Sequence, residues 1–356
     1  MAEKPVITFL GPKASYTHSA ALSAFSEELY SLQAQSSIED VFASVQSGSA
    51  SAGVVPFENS SNGSVIFTLD LFADRDGRYP DILVTGEVYV AVKHCLLGHM
   101  PSHDSRTDSG KDFSSSPSEA KWKQPWRRSI TSTPSTSGTV TPTQSAPEPG
   151  KCRTKPEHDI SHIKKIYSHP QAWGQCKLFL NTYLKGVERQ DVSSTSKAAE
   201  IVAQDTSGTS AAISSAIAAK LNNLTHLATG IEDVEGNSTR FFIIRKRDAV
   251  VVPSPSPSPS HKKHKSLVLF TVDHNRYGSF ADALAVFKTF DLNLTSCNSR
   301  PAKHEMWQYV FFLEFEHARD SQGEEGGNVE MALQELKKFT KGLRFFGTWE
   351  CRLSEA

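Results

Sequence analysis

The chain has 356 residues, enough for two domains with large cores. Its 38 Lys and Arg against 39 Asp and Glu leave a formal net charge of -1, so nothing global points to nucleic acid or an anionic membrane, and a small-molecule or protein partner is favoured. No apolar run reaches the roughly 18 residues of a membrane span and the start MAEKPVITFLGPK is unlike a signal peptide, so a soluble, cytoplasmic protein is expected.

In chain order, VITFL reads as a strand leading through GPKASYTHSAALSAF into a helix, and AGVVPFENS leads through SNGSV into IFTLDLFA. From about Pro101 to Glu157 a Ser/Thr/Pro-rich tract without apolar periodicity reads as a disordered insertion. The pattern resumes with KKIYS before HPQAWGQCKLFLNTYL, and VSSTSKAAEIVAQ opens a helix with Ser194 or Thr195 as its N-cap. In EGNSTRFFII the run Phe241 to Ile244 suits a sheet interior, which places Thr239 and Arg240 at its edge. Alternating strands and helices imply an α/β fold with a mainly parallel sheet, whose turns, rich in Ser, Thr, Asn and His, converge on an anion site. Each hydroxyl could instead cap only its own helix. His169, just before Pro170, suits a helix start, and Lys197 suits a solvated side chain. Residues 246–265 read as a Pro/Ser linker. Beyond it SLVLFTVDH, GSFADALAVFKTF, LNLTSCNSRPA, WQYVFFLEFE, NVEMALQELKKF and LRFFGTWE follow the βαββαβ order of ferredoxin-like domains. The five cysteines lack CxxC or CxH spacing and are expected to be reduced thiols, with no metal site.

GPKASYTHSAA, GVVPFENSSNGSV, HCLLG, IYSHPQAWGQCKLFL, SSTSKAAEIVA, AAISSAIAA and GIEDVEGNSTRFFII together closely resemble prephenate dehydratase, followed by a regulatory ACT domain. The resemblance implies a catalytic domain over residues 1–245, two-lobed like type II periplasmic binding proteins, with the insertion at 101–157, and an ACT domain over 266–356. The insertion is similar to those of fungal members. No chorismate mutase segment precedes VITFLGP, so a monofunctional enzyme is expected, one that removes carbon dioxide and water from prephenate to give phenylpyruvate without metal or cofactor. The runners-up are arogenate dehydratase and a non-catalytic amino-acid sensor; the intact Thr239-Arg240-Phe241 argues against the sensor.

By the same resemblance Thr239 serves the leaving hydroxyl. A neutral hydroxyl is a weak acid, so it acts there by an oriented hydrogen bond. Arg240 is expected to grip the surviving carboxylate with its planar fork, Phe241 to belong to the same substrate-binding signature, and Asn59, Ser60, Ser15, Thr17, Ser194 and Thr195 to line the site. Glu58 is expected to orient its turn rather than meet a dianion. The ACT signatures, usually GAL and ESRP, here read Gly278, Ser279, Phe280 and Asn298, Ser299, Arg300, Pro301, implying phenylalanine bound at a subunit interface in a homodimer or homotetramer.

Overall fold

The computed structural model describes residues 4–100, 152–249, 263–302, 306–318 and 327–353. The expectations for 101–151 and for the linker's central 250–262 lie outside the described residues.

The first group of elements is β1 (Val6–Leu10), α1 (Tyr16–Ala24), β2 (Ser31–Gln35), α2 (Ile38–Ser47), β3 (Ala52–Asn59), β4 (Gly63–Ser64), α3 (Ile66–Ala73) and β5 (Ile82–Ala91). The second is β6 (Cys95–Gly98), β7 (Lys165–Ser168), α4 (Pro170–Gln175), α5 (Lys177–Tyr183), β8 (Glu188–Asp191), α6 (Thr195–Ala203), β9 (Ser210–Ser214), α7 (Ala216–Asn222) and β10 (Thr225–Thr229). The chain then returns as β11 (Ser238–Lys246) and continues with β12 (Lys263–Thr271), α8 (Ser279–Thr289), β13 (Asn293–Pro301), β14 (Tyr309–Ala318), α9 (Gly327–Leu336) and β15 (Gly342–Glu350).

Three sheets result, in the orders β2-β1-β3-β11-β5 with β4 beside β3, β10-β6-β9-β7-β8, and β13-β14-β12-β15. The expectation of mainly parallel sheets needs correcting. Only β2-β1-β3 and β8-β7-β9 run parallel; β11 enters the first sheet antiparallel to both β3 and β5, and β6 and β10 are antiparallel in the second. The cause is the chain path: it leaves the first sheet after β5 and comes back into its middle as β11. That strand is therefore central, and Phe241 to Ile244 are buried on both faces, as continuous apolar runs require. Phe241 and Ile243 join the core with Ile7, Phe9 and Val88, while Phe242 and Ile244 join the core on the other face with Phe57 and Phe72.

The C-terminal sheet packs the same way. Val268 and Phe270 of β12 face α8 and α9, whereas Leu267 and Leu269 turn to the first sheet and share a core with Phe57, Phe242, Phe346 and Trp349. Strand β15 runs close against β5 at Gly347, where φ is +119° and a Cβ would lie 2.7 Å from the Val84 carbonyl oxygen, so only glycine permits this approach. The linker is shorter than expected, because Lys246 closes β11 and Lys263 to Lys265 already belong to β12.

The insertion also ends earlier than its composition suggested. Arg153 donates to the Asp233 carbonyl, Thr154 to the Gly230 carbonyl, and the Glu157 backbone N–H to the Leu227 carbonyl at 2.8 Å, while Thr229 donates to Glu157 at 2.6 Å. Residues 152–157 are thus bound to β10 and the segment after it. Two deletions joined by a short Gly/Ser link separate these cases. Relative to removal of 102–151, removal of 102–157 is expected to cost about 2 kcal/mol more, from several lost hydrogen bonds, read as a Tm lower by several degrees.

Candidate active site

The C-terminal end of β3 and the N-terminal end of β11 lie side by side, with Thr239 opposite Asn59. The Asn59 carboxamide is oriented by its turn. Backbone N–H groups of Ser61 and Asn62 both donate to its Oδ1 at 3.0 Å, and since an N–H can only donate, the amide nitrogen must point the other way. Nδ2 then donates towards Asn237 Oδ1 at 2.9 Å, the Ser238 carbonyl at 3.1 Å and Thr239 Oγ1 at 3.0 Å. Ser60 completes the cluster, its hydroxyl donating to Asn237 Oδ1 at 3.2 Å and accepting from the Ser238 N–H at 3.0 Å. An amide nitrogen has no lone pair to offer, so Thr239 Oγ1 accepts from Asn59 and keeps its own proton for another acceptor. Among the described residues none takes it. Thr239 is half-buried and Asn59 likewise, a polar pair at the end of an otherwise apolar sheet.

The pair sits where two crossovers between the sheets run together. The Val92 N–H donates to the Asn237 carbonyl at 2.7 Å, the Ile231 N–H to the His94 carbonyl at 3.0 Å, and the His94 N–H to Glu232 at 2.9 Å. Tyr16 of α1 reaches across to donate to the Lys93 carbonyl at 3.0 Å, and His94 Nε2 donates to Gln175 Oε1 at 2.7 Å. Burial lowers the His94 pKa and raises that of the Tyr16 phenol, so both are neutral at ordinary pH. Asn237, Tyr16, His94, Gln175 and Glu232 were not singled out from the sequence. All five lie inside the quoted motifs, but side-chain type alone does not reveal which polar groups of a motif meet across a crossover.

The remaining expected site residues divide. Ser15 is the N-cap of α1, accepting from the His18 N–H at 3.1 Å and donating to the Leu10 carbonyl, and Ser194 caps α6 through the Lys197 N–H at 3.0 Å; both hydroxyls are engaged by their own chain segments. Thr195 opens α6, half-buried. Thr17 is buried in α1. His169 accepts from the Gln171 N–H at the start of α4, with Pro170 at the first helical position, and Lys197 pairs with Glu200 on the surface.

Two residues of the Thr-Arg-Phe signature need correction. Phe241 is a core side chain, 1% exposed. Arg240, 5% exposed, turns to the opposite face of β11 from its neighbour and is saturated by carboxylates: Glu87 receives Nε at 2.8 Å, and Glu314 of β14 receives Nη2. Lys265 of β12 stands 3.4 Å from Glu314 and 3.7 Å from Glu87, and the half-buried Glu58 is 3.7 Å from Arg240. Trp349 Nε1 and the Arg352 N–H also donate to Glu87. The guanidinium lies 4.9 Å from the centre of the Phe242 ring. Alternation along the strand imposes this: with Thr239 at the polar end between crossovers, the next side chain must face the C-terminal sheet.

The C-terminal signatures part company as well. Gly278 is left-handed at φ +79° before α8, Ser279 is buried and donates to the Arg276 carbonyl, and Phe280 stacks on Phe311 with ring centres 4.2 Å apart. On β13, Ser299 is paired with Phe311 and Pro301 with Tyr309, both exposed. Asn298, however, accepts from Ser64 at 2.9 Å, and Arg300 forms a two-toothed pair with Asp70 of α3 at 2.7 and 2.8 Å. Those two side chains reach across to β4 and α3.

The prephenate dehydratase family model matches residues 7–109 and 152–249, more than half of the chain, and takes in every residue of the Asn59–Thr239 cluster. The chain belongs to the prephenate dehydratase family. Among curated relatives, a bifunctional chorismate mutase/prephenate dehydratase of Aquifex aeolicus is 31% identical over 98% of this chain and 74% of its own length. A prephenate dehydratase of Lactococcus lactis subsp. cremoris is 26% identical over 96% of both. Among solved structures, prephenate dehydratase from Arthrobacter aurescens in complex with L-Phe superposes with a TM-score of 0.69 at 22% identity, covering 99% of this chain and 91% of that one. GqqA, described as a novel type of quorum-quenching acylase, gives 0.67 at 21%, covering 99% and 100%. At such identities the superpositions establish the fold, here a mixed α/β one. No helix among the described residues is long and apolar enough to cross a membrane.

Because Arg240 is compensated rather than exposed, its loss is read first in stability. Arg240→Met leaves two buried carboxylates with Lys265 alone and is expected to cost about 3–5 kcal/mol, measured by denaturant unfolding. Burial opposes charge on Glu314, but Arg240 and Lys265 outweigh it and hold the carboxyl below its ordinary value of 4.5. A carboxyl with a folded pKa below its unfolded one contributes fully above that unfolded value. In Arg240→Met the burial that raises the Glu314 pKa is opposed by Lys265 alone of the two cations, so the variant's carboxyl ionises at higher pH than the wild type's. The wild-type advantage should therefore be complete only above the variant's raised value and shrink as pH falls from there towards the lowered value of the wild type.

Proposed function

We propose that this prephenate dehydratase family member catalyses the decarboxylating dehydration of prephenate to phenylpyruvate, with Thr239 as the donor to the departing hydroxyl. In that reaction the bond to the ring carboxylate breaks and its electron pair enters the ring as carbon dioxide leaves. The C4–O bond breaks, the hydroxide taking up one proton, supplied from solvent by way of the Thr239 hydroxyl, to depart as water. The step needs a hydrogen-bond donor at the leaving oxygen, where negative charge develops. The observation that carries the reading is the Asn59 to Thr239 hydrogen bond, which occupies a lone pair of the hydroxyl and leaves its proton aimed elsewhere.

Holding the donor before the substrate arrives lowers the reorganisation the transition state would otherwise demand. Ser60 and Asn237 support Asn59, so the pair is braced on both sides. With Arg240 withdrawn behind the strand, the side-chain carboxylate of prephenate is met by neutral donors of the half-buried polar lining, including the turns before α1 and α6. A site without a matched cation also leaves the departing ring carboxylate poorly stabilised, which favours its loss. The C-terminal βαββαβ unit is read as an ACT domain that binds phenylalanine beside Gly278 and Phe280 across a homodimer, and the two N-terminal sheets as the lobes of a type II periplasmic-binding-protein-like domain.

Purified full-length protein should form phenylpyruvate from prephenate, faster than it converts arogenate. Thr239→Ala should lower kcat by roughly 10²-fold with KM little changed, since a donor used mainly in the transition state is lost. Thr239→Ser should keep kcat within about tenfold of wild type, because the hydroxyl is retained. Asn59→Asp replaces the donating amide by an acceptor that captures the Thr239 proton, and should fall near Thr239→Ala. Wild-type kcat in Thr239→Ala would remove Thr239 from the chemistry.

A further inference from the structure

The C-terminal sheet meets the N-terminal part of the chain at several polar points, Arg344 on the Phe72, Tyr79 and Ile82 carbonyls among them, and two of these points adjoin the Asn59–Thr239 pair. At the first, Arg240 follows Thr239 in β11 and is paired across the strands with Glu58, which precedes Asn59. Its compensation is divided between the units: Glu87 comes from β5, but Glu314 comes from β14, where Lys265 of β12 shares both carboxylates. At the second, Asn298 of β13 holds Ser64, and β4 containing Ser64 is hydrogen-bonded to Glu58 and Asn59. Arg300 of the same strand holds Asp70 on the helix that follows. Thr295 joins the two points, because its hydroxyl, on β13, donates to Glu314 at 2.8 Å.

Four charges, Arg240 and Lys265 against Glu87 and Glu314, are buried here with apolar neighbours on the Phe57 and Phe242 side. Such a cluster does not deform gradually. If Glu314 withdraws, Arg240 keeps one carboxylate and must recruit another, and Glu58 is the nearest, already 3.7 Å from Nη1. Glu58 is joined by one peptide bond to Asn59, so its capture would shift the amide that orients Thr239. Such an exchange would give the cluster two discrete arrangements, one that braces the pair and one that displaces it, and a coupling between distant sites needs such an element.

We propose that Glu314 is a positioning residue for Thr239, acting through Arg240, and that ligand occupancy of the C-terminal unit is converted into a change of turnover by the exchange of Glu314 for Glu58 on that guanidinium. The inference rests on the prephenate dehydratase reading above and on phenylalanine as the C-terminal ligand. It assigns the coupling to the ionic cluster and to β13, not to the effector pocket itself.

The test uses the full-length chain as wild type, as Lys265→Gln/Glu314→Gln, which preserves the net buried charge, and as Thr295→Val, which keeps every charge. Prephenate turnover is measured against phenylalanine concentration, and phenylalanine binding is measured separately by calorimetry. The wild type is expected to lose roughly tenfold in turnover at saturating phenylalanine, in the usual range of allosteric coupling. The double variant should bind phenylalanine within about threefold of wild-type affinity yet respond by less than about twofold, and Thr295→Val should fall between. A purely structural role would lower the melting temperature without separating binding from response. Variants that bind phenylalanine and are inhibited as strongly as wild type overturn the coupling alone. A wild type that turns over prephenate but neither binds nor responds to phenylalanine overturns the effector reading and the coupling with it.

Discussion

A guanidinium shut away from water must find its counter-charges inside the protein, and at Arg240 they come from two units of the chain. Glu87, on the neighbouring strand of the first sheet, lies 153 residues back and Glu314, on the C-terminal sheet, 74 residues on, separations that only tertiary packing can close. Much of the interface follows from that requirement. Phe57, Phe242, Phe346 and Trp349 enclose the cluster on one side, Trp349 gives its indole N–H to Glu87, and Gly347 lets β15 come close enough to β5 to seal it. Burial raises the cost of every missing partner, which is why the carboxylates also collect Thr295, Tyr89 by way of Lys265, and the Arg352 N–H.

The pleat of one strand makes that constraint matter to chemistry. Consecutive residues of β11 face opposite ways, so a threonine turned to the crossovers obliges the following arginine to face the C-terminal sheet. The group at the crossovers and the group at the interface are then joined by a single peptide bond. The same holds across the ladder, where Asn59 meets Thr239 and Glu58 meets Arg240. The strand ends cannot be moved on one side without moving the other, and the rigidity of the buried middle of β11 behind them carries the constraint into the core.

Much of this was legible before any coordinates. Apolar runs and cap residues locate β1, β3, β7 and β11 and the helices that follow the first three of them, because periodicity and capping are local properties. Ser194 as an N-cap and His169 before Pro170 were readable for the same reason. Where a local rule met a non-local outcome, the reading failed in identifiable ways. A strand's direction within a sheet depends on the route of the chain, so the antiparallel insertion of β11 could not be read from its composition. Residues 152–157 look like the end of a low-complexity tract but are held by hydrogen bonds to β10 and the turn after it.

Taken alone, the sequence determined the family, the order of its elements and the presence of Asn59, Ser60 and Thr239 in its motifs, since each of these is written in short contiguous stretches. Which of two adjacent polar residues turns to the crossovers and which to the C-terminal sheet was decided only in three dimensions. An arginine beside a threonine in such a motif is equally apt, by composition, for gripping a carboxylate substrate or for neutralising buried glutamates. The choice depends on the charges standing opposite it, and here those are Glu87 and Glu314, brought there by separate strands of separate sheets. Asn298 and Arg300 were settled in the same way, by Ser64 and Asp70 across the interface. A side chain's type states what it can pair with, and packing alone supplies the partner.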